Sequence, residues 1–343
     1  MINNIESTVA STRVRLARNL AGYHFPNRLE PAVGKEIVRT VSDEACRLHP
    51  FNLYSMDEIS ENVAQALCDD HLISAGLAAN RACGAALIDE EDEGVDGPRG
   101  KYSIMINEED HLREQYIIRG LNLMLAYRRL SALDDELSKT IRFAFDKKLG
   151  YLTACPTNLG TGLRASVMLF LPGLTRTKKM KTVANIMSGL GHTVRGVYGE
   201  GSAADGYMYQ ISNEVTLGVD ENYILTEVQR AVLEVVKLEA LARENMLDAD
   251  FDGVKDECMR AYGILTNCYM ISFDEFLRLI SAVKLGAAIG FLSVKNFPAL
   301  DDLIAEVRPA NIGLNYEEPL TPGERDKRRA AKGRAALKKI VRG

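Results

Sequence analysis

No stretch of the sequence approaches the ~20 apolar residues that a membrane-spanning helix needs, so an α-helical membrane protein is excluded. The start, MINNIESTVASTRVRLARN, has no apolar signal core, and export is not expected. Six cysteines (Cys46, Cys68, Cys83, Cys155, Cys258, Cys268) show no C-x-x-C spacing, and there are five histidines. Neither a zinc site nor a disulfide framework can be read from them, which leaves a cytoplasmic chain with reduced thiols as the expectation. Repeats and low-complexity tracts are also missing.

What is present suits a globular protein. The 343 residues allow one large domain and a smaller one, and 46% apolar with 26% charged residues is ordinary. The net charge of −5 hides an asymmetry. Residues 321–343, TPGERDKRRAAKGRAALKKIVRG, hold nine Lys/Arg against two Asp/Glu, a local +7 that leaves −12 on the rest. A basic tail on an acidic body suits phosphate, an acidic surface or nucleic acid, or is simply a solvated helix.

Helical periodicity marks Ala32–Leu48, parts of 55–82, Asp110–Leu130 and Lys178–Leu190. Strand-like segments bounded by turn signals are Gly84–Asp89, Tyr102–Asn107, Gly150–Ala154, Ala165–Leu171, Thr193–Tyr198 and Tyr207–Leu217. Strands that follow one another directly after residue 190 predict antiparallel pairing, hence an α+β fold and not a doubly wound sheet. Near Leu225 the sequence changes character. Thr226 with Gln229, and Ser272 with Glu275, read as helix starts followed by apolar residues at helical spacing. A domain of residues 1–225 and a mainly helical one of 226–343 are the expectation.

Four segments carry chemistry. In Ser11-Thr12-Arg13-Val14-Arg15, extended backbone would point Arg13 and Arg15 the same way, and paired guanidinium forks suit polyphosphate. Solvated surface arginines would read alike. Asn107-Glu108-Glu109-Asp110-His111-Leu112-Arg113 sets three acids at a strand end, able to take a proton, hold a cation or bind magnesium, or merely to favour a helix N-terminus. Cys155-Pro156-Thr157-Asn158-Leu159-Gly160-Thr161-Gly162-Leu163-Arg164 joins a lone cysteine to a glycine loop and an arginine. Loop amides can cradle anions, but the G-K-[ST] ending of a Walker loop is absent. Finally, Arg195-Gly196-Val197-Tyr198-Gly199-Glu200-Gly201-Ser202 places an acid between glycines, on a mobile loop or a plain hairpin.

In order and spacing these segments resemble the phosphagen kinase (ATP:guanido phosphotransferase) superfamily: S-T-R-V-R, N-E-E-D-H-L-R, C-P-T-N-L-G-T-G-x-R-A-S and R-G-x-x-G-E. The likeness to its catalytic domain covers roughly residues 7–225. Within the superfamily the chain is most similar to the McsB-type bacterial protein arginine kinases. No helical domain of the small-molecule kinases precedes the first motif, and the loop reads Y-G-E-G-S followed by Q-I-S-N-x-x-T-L-G. A helical C-terminal domain follows, and the tail holds Arg325-Asp326-Lys327-Arg328-Arg329-Ala330, matching R-D-x-x-R-A.

The resemblance implies an antiparallel sheet flanked by helices. It implies that Arg13, Arg15, Arg113, Arg164 and Arg195 clamp the phosphates of ATP, with Mg2+ bound to the nucleotide. Glu109 and Glu200 would hold the acceptor guanidinium, one acting as base, and Cys155 would lie against it as a thiolate. Arg325, Asp326 and Arg329 would form an allosteric phosphoarginine pocket. Implied partners are arginine-bearing proteins, a zinc-binding activator, a stress repressor, a Clp unfoldase-protease for which phosphoarginine is a degradation tag, and a second copy in a homodimer. Family loops commonly read G-E-G-S-E-A, whereas Ala203 stands at the second acid here. The alternatives are a kinase for a free guanidino compound and an inactive phosphoarginine-binding adaptor. Nucleic-acid binding through the tail lacks the interleaved aromatics it would need.

Overall fold

Alternation of apolar and polar residues from Val9 to Arg18 makes an extended segment with two unlike faces. In the computed structural model, which describes residues 4–89, 100–196, 205–314, 316 and 320–342, this segment is strand β1 (Val9–Arg18) at the centre of an eight-stranded sheet. In chain order the other elements begin with α1 (Pro31–Leu48), β2 (Phe51–Ser55), α2 (Glu61–Asp69), α3 (Ala75–Ala79), β3 (Ala85–Asp89), β4 (Gly100–Ile106) and β5 (Leu112–Arg119). They continue through α4 (Leu123–Leu137), β6 (Phe145–Asp146), β7 (Gly150–Tyr151), β8 (Leu163–Phe170), α5 (Pro172–Arg176), α6 (Met180–Gly189), β9 (His192–Gly196) and β10 (Met208–Asn213). The rest is mainly helical: α7 (Glu221–Ala249), α8 (Phe251–Leu265), α9 (Phe273–Ile289), β11 (Ser293–Val294), α10 (Pro298–Glu306), α11 (Pro309–Gly313), α12 (Pro322–Ile340) and β12 (Val341–Arg342). The sheet runs β2-β3-β4-β5-β1-β8-β10-β9, with every neighbouring pair antiparallel, and the α+β expectation holds.

The period of two assigns each strand residue to a face. Val14, Leu16, Ala165, Val167, Leu169 and Ile211 pack under helices α4 to α7, and Ala85, Leu87, Ile104 and Ile106 under α1 and α4. Helix α7 brings Val228, Val232, Val235 and Val236 onto this layer; each buried side chain of that size stabilises the fold by about 1.5–3 kcal/mol. Opposite, cover is partial. Leu72, Ile73 and Leu77 of the α2–α3 region close one flank over Ala86, Ile88 and Met105. Met246, Val254, Cys258 and Leu285 close the other over Phe170 and Met208. Between these flanks the middle of the sheet presents polar side chains. A second core, including Phe276, Ile280, Val283, Leu300, Leu303 and Leu337, joins α8, α9, α10 and α12.

Three expectations are corrected. Residues 110–130 are not one helix: strand β5 runs to Arg119 and helix α4 starts at Leu123. Leu112 and Tyr116 stand four apart, as on a helix, but Leu112, Glu114, Tyr116 and Ile118 are all buried, a period of two. Thr226 is not a cap. Helix α7 begins at Glu221, where the Asp220 side chain accepts from the Tyr223 N–H. The strand expected over Gly150–Ala154 is only the short β7. Ser272 does cap α9, accepting from Glu275 N, and Thr321 with Glu324 forms a capping box on the basic tail helix α12.

Candidate active site

The arginines gather on the open middle of the sheet. Arg13 and Arg15 share a face of β1, where Arg15 lies opposite Arg164 of β8, and Ala17 lies opposite Arg113 of β5. Arg195 of β9 lies opposite Gln210 of β10. All five line one cavity of about 410 Å³ with Glu109, Thr157, Asn158, Gly162 and Gln210. The sheet register thus collects residues up to 182 positions apart in sequence, Arg13 to Arg195.

Neutral partners hold two of these side chains. Arg13 Nη2 donates to Gln210 Oε1 (2.9 Å), and Arg164 Nη2 donates to Ser212 Oγ (3.0 Å). The positive charge is therefore poorly compensated. Burial, then the charges of Arg113 and Arg164, push the Arg13 guanidinium down to about 10. Arg15 is pushed well below the ordinary value by burial and then by Arg13, Arg113 and Arg164. Arg164 falls through burial and then Arg195 and Arg113. The Nε of Arg15 is buried with no hydrogen-bond partner among the described residues. Like charges held together around an unmet donor make a site for a polyanion, because an entering phosphate relieves both costs.

The acidic turn between β4 and β5 divides its three carboxylates among separate tasks. Asn107, fully buried with φ +58, donates from Nδ2 to the carbonyls of Gly34 and Cys83 (2.9 Å each), which fixes the turn. Glu108 accepts from Ser74 Oγ (2.8 Å) and pairs with Arg113 Nη1 (3.0 Å). Glu109, at the cavity, pairs with Arg113 Nη2 (3.0 Å). Asp110 is buried and accepts from Asn19 Nδ2 (2.6 Å) and from the Ala154 N–H (2.7 Å). Burial raises its pKa, against those hydrogen bonds. It ties the turn to the segment that leads into Cys155.

Cys155 is half-buried, its Sγ 3.0 Å from Thr157 Oγ1, and its neighbours Thr157 and Asn158 line the cavity. Thr216 Oγ1 anchors the following loop by donating to the carbonyls of Thr157 (3.0 Å) and Leu159 (2.7 Å). The loop glycines are required by close backbone approach. A Cβ on Gly160 (φ +110) would strike the Thr216 carbonyl, and one on Gly162 (φ +65) would strike the Ala17 carbonyl at 2.6 Å.

Behind the loop stands a brace that the sequence did not disclose. Arg18 has the opposite strand parity to Arg13 and Arg15, so it turns to the buried face. It donates from Nε and Nη2 to Asp134 (3.0, 3.2 and 2.7 Å) and from Nη1 to the carbonyls of Ala17 (3.0 Å) and Thr161 (3.1 Å). Its guanidinium lies 3.5 Å from the centre of the Tyr151 ring. Glu114 is fully buried beside this pair, and burial, then the Asp134 charge, raise its pKa well above the ordinary value. Gln210, Ser212 and Ser74 were likewise missed, since each matters only through a cross-strand or cross-element contact. Glu200 and Ala203 lie outside the described residues.

Arg13 and Gln210 also line a narrow neck with Ser11, His71, Ile117 and Met168, and the last four continue into a cavity of about 520 Å³ reaching Leu277, Ile304 and Arg308. Far along the chain, Arg325, Asp326 and Arg329 fall in the first turns of α12. Arg329 is buried and donates to the carbonyls of Val307 and Ile271 (2.9 Å each) and to Asp326 Oδ1 (2.5 Å).

Residues 32–242 match the C-terminal catalytic domain of the ATP:guanido phosphotransferases, and residues 252–342 match the C-terminal domain of the protein-arginine kinase McsB. The protein-arginine kinase of Caldanaerobacter subterraneus subsp. tengcongensis is 39% identical over 335 residues, 96% of this chain and 97% of that protein. That of Halothermothrix orenii is 42% identical, covering 94% and 90%. Among solved structures, the duplicated taurocyamine kinase from Schistosoma mansoni with bound transition-state-analogue components superposes with a TM-score of 0.59 at 30% identity, over 69% of this chain. The chain spans about a third (34%) of that duplicated protein. A lombricine kinase gives 0.55 at 26% identity, over 68% and 67%.

Proposed function

The chain belongs to the ATP:guanido phosphotransferase family, and on that premise we propose that it is a protein-arginine kinase, moving the γ-phosphoryl group of ATP to arginine side chains of other proteins. The observation that carries this reading is the under-compensated arginine cage with Glu109 at its cavity and Cys155 beside its loop.

In this reading the triphosphate enters the cage, and Arg13, Arg15, Arg113, Arg164 and Arg195 neutralise the oxygens that gain charge in the transition state. The orphaned Arg15 Nε and the depressed arginine pKa values fit such an anion. Mg2+ carried by the nucleotide supplies further positive charge. The acceptor guanidinium, protonated up to a pKa above ~12, needs both orientation and a proton acceptor. We assign orientation to Glu109, Glu200 and Cys155, with one carboxylate taking the N–H proton. The guanidinium nitrogen bonds to the γ-phosphorus as the bridging P–O bond breaks and ADP leaves.

The proposal extends to the remaining expectations. Residues 1–225 form the catalytic domain, and residues 226–343 dimerise and bind phosphoarginine at Arg325, Asp326 and Arg329. The protein works in the cytoplasm with a zinc-binding activator, and its product marks proteins for a Clp protease and regulates a stress repressor. A kinase for a small free guanidino compound is the rival, suggested by the taurocyamine and lombricine kinases among the structural neighbours. The match of residues 252–342 to a protein-arginine kinase domain favours protein acceptors. The test is incubation with Mg-ATP and an arginine-rich unfolded protein, followed by phosphosite mapping under non-acidic conditions, with free arginine and Glu200→Ala alongside. Phosphoarginine on the protein, lost in the variant, supports the reading. Phosphorylation of free arginine alone selects the rival. No phosphoarginine from any mixture, activator included, selects the adaptor.

A further inference from the structure

Arg113 is held by two carboxylates at once, Glu108 through Nη1 and Glu109 through Nη2, each at 3.0 Å. Its guanidinium is the same chemical group as the acceptor that Glu109 would hold. In this structure the position at Glu109 is taken by the enzyme's own arginine. Arg113 also lines the phosphate cage, so it has a second destination.

The two carboxylates are not equivalent. Glu108 is the more enclosed, its side chain 12% exposed against 41% for Glu109. It is held by Ser74 Oγ (2.8 Å) and accepts from the Glu109 backbone N–H (2.9 Å). Ser74 is itself fixed as the cap of α3, accepting from Leu77 N at 3.0 Å. Gly76 leaves room for this, since a Cβ there would stand 3.1 Å from Glu108 Oε1. Among the described residues Glu109 has no comparable anchor, being tied through its side chain to Arg113.

We propose that Glu108, anchored by Ser74, is a positioning residue that keeps hold of Arg113 by Nη1, while phosphate draws Nη2 away from Glu109 and opens that carboxylate to the acceptor guanidinium. The inference rests on the assignment of Glu109 to the acceptor. Nucleotide and acceptor then bind with positive coupling, and by linkage each raises the other's affinity equally.

The experiment uses the full chain and a fluorescent arginine-bearing peptide, titrated with and without a non-hydrolysable ATP analogue and Mg2+. The wild type should bind the peptide about 5-fold or more tightly with the analogue present, the lower range for coupled sites. Ser74→Ala should lose most of that gain while circular dichroism and peptide affinity without nucleotide stay unchanged, and Ser74→Thr should restore it. Equal peptide affinity with and without the analogue in the wild type overturns the proposal, as does full coupling in Ser74→Ala. Phosphoarginine formation by the wild type, measured in parallel, separates the two levels. Product without coupling sinks this inference and leaves the kinase reading intact, whereas no product sinks the reading on which it rests.

Discussion

Deleting Asp134 should expose how far the phosphate-side loop depends on its brace. Arg18 is 2% exposed and Asp134 5% exposed, and the pair is joined by three contacts. In Asp134→Ala the Nε and Nη2 donors lose their only hydrogen-bond partners among the described residues, and a buried charge is left behind. Removing one member of a buried pair costs about 3–5 kcal/mol, mostly the penalty of the stranded ion. Glu114 complicates this. Burial, then the Asp134 charge, raise its pKa, and Asp134→Ala removes the second of these causes, so the Glu114 carboxyl can take over part of the pairing. The full cost should therefore appear on a Glu114→Gln background. For a chain of 343 residues about 1.4 °C of Tm accompanies each kcal/mol, so the drop should be roughly 4–7 °C. Thermal unfolding followed by circular dichroism measures it, with Asp57→Ala in the exposed pair with Lys35 as a control that should leave Tm nearly unchanged. Replacing both partners, Arg18→Met with Asp134→Leu, should recover most of the loss. A drop below about 2 °C on the Glu114→Gln background refutes the reasoning.

Other consequences follow from the same geometry. Arg15→Met should cost kcat about 10²–10³-fold, as for loss of one transition-state charge donor, yet raise the Tm of the ligand-free protein by relieving repulsion; a lowered Tm would contradict the crowding argument. Burial, then Arg13 and Arg308, push the His71 imidazole down to about 3, below its ordinary 6.5. Across that window the unfolded chain binds the extra proton, so this contribution to stability is whole above about 6.5 and lost as pH falls towards 3. The Tm of His71→Gln should accordingly fall less steeply than the wild type on acidification, and parallel profiles would count against it. In the tail, Arg329→Ala should destabilise the helical region by leaving the Val307 and Ile271 carbonyls unpaired. Arg325→Ala should weaken phosphoarginine binding with Tm unchanged, as calorimetric titration and thermal melts would tell.

Much of the site was legible because strand parity is local. The alternation in S-T-R-V-R puts Arg13 and Arg15 on one face whatever they pair with, and the glycines of the Cys155 loop announce close backbone contact. Strand β5 was harder. Glu114, Gln115 and the Leu112/Tyr116 spacing suit a helix, and a real helix follows three residues on, so only the sheet partners β1 and β4 decide the matter. Thr226 misled for a related reason: a capping pattern inside an apolar stripe is silent when an earlier cap, Asp220, has already started the helix. Arg18 with Asp134, 116 positions apart, and Ser74 with Glu108, 34 apart, leave no mark in a window of one element. The basic tail held a converse surprise. Its charge predicts a solvated helix, but Arg329 is turned inward and satisfied by backbone carbonyls.

Gly160 and Gly162 invite a reading in terms of mutational tolerance. In a saturation scan selecting for activity, these two positions should be as depleted of variants as Glu109 or Arg15, although neither carries a side chain to do chemistry. Gly160 abuts the Thr216 carbonyl and Gly162 that of Ala17, both at positive φ, so even alanine is refused on two counts. Ranking residues by intolerance would therefore mix the groups proposed to touch phosphate with those that only let three stretches of backbone meet. Thermal stability distinguishes them: the glycine variants should melt early, whereas variants in the cage should stay folded and fall silent.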